Sequence, residues 1–159
     1  MEKMKFTIDI NAPREKVWKI LWNDETYREW TKAFSEGSHA VSDWNEGSKI
    51  HFLDPNGQGM YSTIDRKIPN EFMSFKHIGM IKDGEEQPVD EETKSWSGAM
   101  ENYKLEEHDG ITTLTVENDT SGEDWENMLK EAFPKALKIV KDLSEKEYAS
   151  HNMESSKRN

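Results

Sequence analysis

From Trp125 to Leu143 one apolar stripe runs along the chain at helical spacing: Trp125, Leu129, Ala132, Phe133, Ala136, Leu137, Val140 and Leu143. A helix of that length must bury its stripe, and little apolar sequence follows it. Its partner therefore lies upstream, where the chain is a series of short segments of strand type. Met4–Ile10 alternates apolar and polar residues, the period of a half-buried strand. Ser38–Trp44, Ser48–Leu53, Gly59–Ile68, Glu71–Ile78, Ser95–Glu106 and Ile111–Asn118 follow. Asn45-Glu46-Gly47, Asp54-Pro55-Asn56-Gly57, Pro69-Asn70 and His108-Asp109-Gly110 separate them with turn residues. Links this short join antiparallel neighbours. The pattern is α+β.

Two short helices precede the main run of strands. Asn11 is placed to cap the first, and Pro13 suits its opening turn, where a missing N–H costs nothing. Val17, Trp18, Ile20, Leu21 and Trp22 carry its apolar face; Asp24 opens a second helix through Tyr27, Trp30 and Phe34. Ile81–Thr93 is polar and acidic and reads as a long loop. Pro134 interrupts the helical stripe, which predicts a kink. Beyond Ser144 the stripe fades, and Ser150–Asn159 has too little to bury to hold a helix end in place. The expected organisation is one domain over 1–145 and a polar tail over 146–159.

At 159 residues a single domain buries enough surface to need no staple. The chain has no cysteine, which removes disulfides, thiolate metal sites and thiol nucleophiles together. A net charge of −11 argues against binding to a phosphate backbone, so no nucleic acid is expected. No apolar run approaches the roughly 20 residues of a membrane span, so no membrane insertion is expected. No leader-like segment opens the chain, and a cytoplasmic location is the expectation. Six Trp, six Phe and eight Met supply much of the apolar content, and such large, adaptable side chains can line a cavity as well as fill one.

Strand, two helices, six strands and one long helix, in that order, is the layout of the helix-grip fold. Asn11-Ala12-Pro13 followed by Val17-Trp18 resembles the opening of the START-like (SRPBCC) superfamily. Asp54-Pro55-Asn56-Gly57, Ile68-Pro69-Asn70-Glu71-Phe72 and Gly110-Ile111-Thr112-Thr113-Leu114-Thr115 are similar to its later strand turns. Trp96-Ser97-Gly98-Ala99-Met100-Glu101-Asn102-Tyr103 and Phe133-Pro134-Lys135-Ala136-Leu137 resemble one branch of it. That branch is named after the activator of the ninety-kilodalton heat-shock chaperone's ATPase. The resemblance spans roughly residues 4–145. It implies a curved antiparallel sheet wrapped around the long C-terminal helix, with a cavity between them. It also implies two classes of partner: a small apolar or amphipathic molecule in the cavity, or a chaperone or other protein.

On that fold, strand parity sorts the side chains. Ile50, Phe52, Met60, Ser62, Ile64, Met73, Phe75, His77, Tyr103, Leu105, Leu114 and Val116 face inward, and the same parity brings in Glu101. Trp125, Met128, Leu129, Ala132 and Phe133 come from the helix. The expected ligand-binding set is Phe52, Ile64, Phe75, His77, Glu101, Tyr103, Trp125, Met128, Leu129 and Phe133. A carboxylate on an apolar wall is costly unless paired, so Glu101 needs a reason. Two stand open: an anchor for a ligand's polar group, or an internal pair with His77 or Tyr103 that fixes strand register. Trp30 and Phe34 are placed to gate the cavity.

Chemistry has less support than binding. His39, His51, His77, His108 and His151 are scattered without metal-ligand spacing, so neither metal nor cofactor is expected. No nucleophile elbow is present, and Gly57-Gln58-Gly59 lacks the lysine and following helix of a phosphate loop. The acidic run Asp83–Glu92 reads as a solvated loop. No catalytic residue is assigned. A binding module is the leading reading; a small cyclase- or hydrolase-like enzyme using a cavity acid or base, and a chaperone-partner domain, are the alternatives.

Overall fold

The computed structural model describes residues 1–157, with side chains described through residue 150. Strand β1 (Glu2–Ile10) leads through α1 (Arg14–Trp22) and α2 (Asp24–Trp30) into a 3-10 turn at Thr31–Ala33. Strands β2 (His39–Val41), β3 (Lys49–Leu53), β4 (Gly59–Ile68) and β5 (Phe72–Lys82) follow. After β6 (Glu85–Glu86) and the one-turn helix α3 (Glu91–Lys94) come β7 (Met100–His108), β8 (Ile111–Thr120) and helix α4 (Glu123–Lys157). All pairings are antiparallel, in the order β1-β8-β7-β5-β4-β3-β2, with β6 hanging from β5. Sheet and long helix form the helix-grip arrangement expected from the sequence.

The sheet curves because its ladder is not regular. Register shifts between β4 and β5 fall at Tyr61/Ser62 and at Ile64/Arg66. Each adds local twist and bends the strand that carries it. The concave face buries Ile50, Ile64, Met73, Phe75, Tyr103, Leu105, Leu114 and Val116. Leu129, Phe133, Ala136, Leu137 and Val140 of α4 close over them. Residues of opposite parity, such as Lys49, Asp65, Lys76 and Lys104, are exposed. Ser74 departs from that parity rule and is buried. Helix α4 also packs against α1, α2 and β1.

Several boundaries differ from the sequence expectation. The Ile81–Thr93 segment is not one loop. Strand β5 runs to Lys82, Asp83 and Gly84 turn with positive φ, and β6 pairs back at Ile81↔Glu86 and Lys82↔Glu85. Asp90 then caps α3 through the Thr93 amide, 2.8 Å away. Acidic composition hid this hairpin, since its strand is held by backbone pairing and buries almost no side chain. The first helix is preceded by Pro13 rather than capped by Asn11, whose amide instead donates to Glu145 at 2.8 Å.

Helix α4 is assigned without interruption through Pro134. Pro134 has no N–H to offer the Lys130 carbonyl, but the buried residues on either side hold both halves in one helix. The helix also outruns its apolar stripe: no Gly or Pro follows Pro134, and it is helical to Lys157. The expected fraying of the tail concerns side chains from residue 151 on, and residues 158–159 entirely, which lie outside the described residues.

Candidate functional site

Three neighbouring strands present the polar side chains at the centre of the concave face. Ser62 on β4 is the direct partner of His77 on β5, and Glu101 on β7 pairs with Phe75. His77 and Glu101 are therefore diagonal neighbours on one face, within reach of long side chains. Tyr103 lies two residues beyond Glu101 and so on the same face.

These four form one chain of hydrogen bonds. His77 Nδ1 is 2.7 Å from Ser62 Oγ, and His77 Nε2 is 3.0 Å from Glu101 Oε1. The Tyr103 hydroxyl donates to Glu101 Oε2. Burial holds the Tyr103 phenol well above its ordinary value of 10.0, and the Glu101 charge and hydrogen bond push it the same way. Tyr103 is thus a donor at any physiological pH. Tyr27, buried beside it, is raised first by burial and then by the Glu101 charge. With Glu101 accepting, His77 Nε2–H donates, and in the neutral ring Nδ1 accepts from the Ser62 hydroxyl. Across the next pairing Asn118 faces Glu101, and its buried side-chain nitrogen has no hydrogen-bond partner among the described residues.

A cavity of about 350 Å³ opens above this network. Phe52, His77, Glu101 and Tyr103 line it from the sheet, and Trp125, Met128, Leu129 and Phe133 from α4. Tyr27, Trp30 and Phe34 close the side formed by the two small helices. Trp125 stands at the rim, 41% exposed, while the Glu101 side chain is 22% exposed. Phe34 meets Phe133 edge to face at 4.8 Å between centroids, and Phe133 stacks on Phe6 at 5.0 Å.

Eight of the ten residues assigned to ligand binding line this cavity; Ile64 and Phe75 do not. Parity is right for both, but parity gives a face and not a depth. Ile64 is wholly buried. Phe75 is covered by the Trp22, Trp44 and Phe52 rings, at 5.4, 6.4 and 5.2 Å. Trp30 is likewise no free gate: it is almost fully buried, and its Nε1–H donates to the Leu21 carbonyl at 3.1 Å. Trp22, on the apolar face of α1, is the hub of this aromatic cluster and touches the Tyr103 ring at 4.9 Å.

Sequence reasoning missed the polar end of the cavity. Ser35, Ser38, Asp54 and Gln58 line it from the connections before β2 and between β3 and β4, and His39 from the first position of β2. Asp54 was legible as a turn former and acts as one, accepting from the Asn56 and Gln58 amides at 2.8 and 3.0 Å. Gly59 is needed beside it, because a Cβ there would sit 1.8 Å from the Phe52 carbonyl oxygen. Nothing in the alternation of the strands could show that these turns fold over the concave face.

The Ser62–His77–Glu101 order has the appearance of a hydrolytic triad. Ser62 is wholly buried beneath His77 and does not reach the cavity, so no substrate carbonyl can approach its oxygen. The open end of the chain is the carboxylate. Among the described residues no group of three or more His, Asp or Glu side chains could hold a metal ion. No helix among them is long and apolar enough to cross a membrane.

The same architecture recurs in solved structures. The chain superposes with a TM-score of 0.70 on the Aha1 dimer protein from Colwellia psychrerythraea, at 23% identity, covering 91% of this chain and 97% of that one. A protein from Mesorhizobium loti matches with a TM-score of 0.69 at 15% identity, covering 89% and 96%. A protein of the dynemicin biosynthetic locus matches at 0.62 and 14%, covering 88% of this chain and 47% of its own. At these identities the likeness is one of fold. No curated relative matches the chain. The family model described as "Activator of Hsp90 ATPase homolog 1-like protein" matches residues 11–145, and the chain belongs to that family.

Proposed function

We propose that this protein is a binding module that holds a small apolar or amphipathic molecule in the cavity between the sheet and α4. Family and fold make it a ligand-binding or partner-interaction domain in general. The observation that carries the finer reading is the cavity, walled by Phe34, Phe52, Met128, Leu129 and Phe133 and floored by one anchored carboxylate. Its volume, about 350 Å³, falls in the range of small-molecule sites, which combine apolar walls with a few fixed polar groups. Glu101 is the anchor, and His77 and Tyr103 hold it in place. Catalysis has less support, since the one hydroxyl in line with His77 is sealed from the cavity.

Native mass spectrometry of protein purified without detergent tests this reading. A co-purified small molecule, or saturable uptake of an environment-sensitive apolar dye with matching Trp quenching, is the expected result. Protein that stays free of adducts and binds no such dye would remove the carrier reading and leave a partner-interaction domain. Binding to the ninety-kilodalton chaperone, measured on the intact chain, tests that alternative directly.

A further inference from the structure

We infer that the ligand class is cationic: a protonated amine carried on an aromatic or aliphatic body. The inference rests on the binding reading above and deepens it. Its basis is the charge of the cavity lining. The residues that line the cavity include Glu101 and Asp54, and among the described residues no Lys or Arg reaches it. Asp54 is engaged by its own turn, accepting from the Asn56 and Gln58 amides. Glu101 is different. It rises from the floor among aromatic rings, and its two hydrogen bonds, from His77 and Tyr103, use about half of the four acceptor positions of a carboxylate. The rest of its capacity meets the cavity, where the side chain keeps its 22% exposure.

Two further features fit a cation. Neither donor to Glu101 removes its charge when His77 is neutral, because Tyr103 is held firmly as a neutral phenol. With His77 neutral, an anion would meet the Glu101 carboxylate at short range, which is unfavourable. An ammonium group would gain a charge-assisted hydrogen bond, and the aromatic rings of Tyr27, Phe34 and Trp125 line the same cavity. The apolar body of the ligand would then run along Met128, Leu129 and Phe133 toward the rim at Trp125. Fatty acids, phosphate esters and other anionic amphiphiles should bind more weakly for the same reason.

The test is a matched series on the full wild-type chain: 2-naphthylethylamine, 2-naphthylethanol and 2-naphthylacetate, each titrated at pH 7 and followed by calorimetry and Trp fluorescence. The amine should bind about tenfold more tightly than the alcohol, and the acetate weakest of all. Glu101→Gln should abolish the preference for the amine while leaving alcohol binding within about twofold. Circular dichroism establishes whether that variant is folded; if it is not, Met128→Lys serves instead and should exclude the amine and admit the acetate. Equal or stronger binding of the alcohol or the acetate to the wild type would overturn the cationic class while leaving the carrier reading intact. Failure of all three probes where an apolar dye still binds would do the same. Failure of the probes and the dye together would overturn both.

Discussion

The most constrained single residue is Tyr103. Its ring is buried among Trp22, Trp30 and Phe75, and its hydroxyl has one partner, the Glu101 carboxylate. The folded-state pKa lies above the ordinary value of 10.0, so the native chain keeps a proton that the unfolded chain releases. Stability from this group is therefore complete below about pH 10 and is lost as pH rises toward the folded value. Tyr27 is shifted the same way and adds to the same limb. Tyr103→Phe should make the alkaline fall in thermal midpoint shallower, with Tyr27 accounting for what remains. At neutral pH the same variant should cost about 1–3 kcal/mol, because it strips a hydrogen bond from a partly buried carboxylate. Thermal scans of both proteins from pH 7 to 11 check the two effects separately.

At the scale of elements, α4 carries a tension between sequence and packing. Pro134 is exposed, yet its neighbours Phe133 and Ala136 are buried, so the surrounding residues hold the helix through a position that breaks it intrinsically. Pro134→Ala should restore the hydrogen bond to the Lys130 carbonyl and raise stability by about 1 kcal/mol, read as a higher denaturant midpoint with an unchanged slope. A lower midpoint would mean that the backbone angle fixed by Pro134 is itself needed to seat Leu129 and Phe133. The strands show a complementary case. The register shifts that curve β4 against β5 fall beside Ser62 and His77, so the irregular stretch of the sheet adjoins the cavity's polar floor.

Over the whole molecule, one helix serves as both lid and core. Below Phe133, the residues Ala136, Leu137 and Val140 fill the space over β1 and α1, while above it Met128 and Trp125 border the cavity. Phe133 lies at the junction, stacked on Phe6 and edge-on to Phe34. Phe133→Ala should cost about 3–5 kcal/mol, since removing a buried ring leaves a void that a packed sheet cannot collapse to fill. The same variant should enlarge the cavity toward β1 and raise affinity for bulkier apolar dyes, which a fluorescence titration at a temperature below its unfolding reads directly. Loss of stability without any change in dye selectivity would show that the filled and open parts of the interior are separate.

The element order, the antiparallel sheet and the inward set from β3, β4, β5 and β7 were legible in the sequence, because alternation and turn chemistry are local and buried strands obey them residue by residue. Glu101 stood out for the same reason: a charge on an otherwise apolar face breaks the period that defines the face. Depth was not legible. Ile64 and Phe75 share that face, yet one is sealed in the core and the other is capped by Trp22, Trp44 and Phe52, rings contributed by α1, a turn and β3. The hairpin after β5 escaped notice because backbone pairing, and not side-chain burial, holds it. Whether a residue lines a cavity or fills a core depends on which distant groups cover it. Periodicity determined which way each side chain points in this protein, and only the packing of α1, α2 and α4 over the sheet decided where empty space would remain.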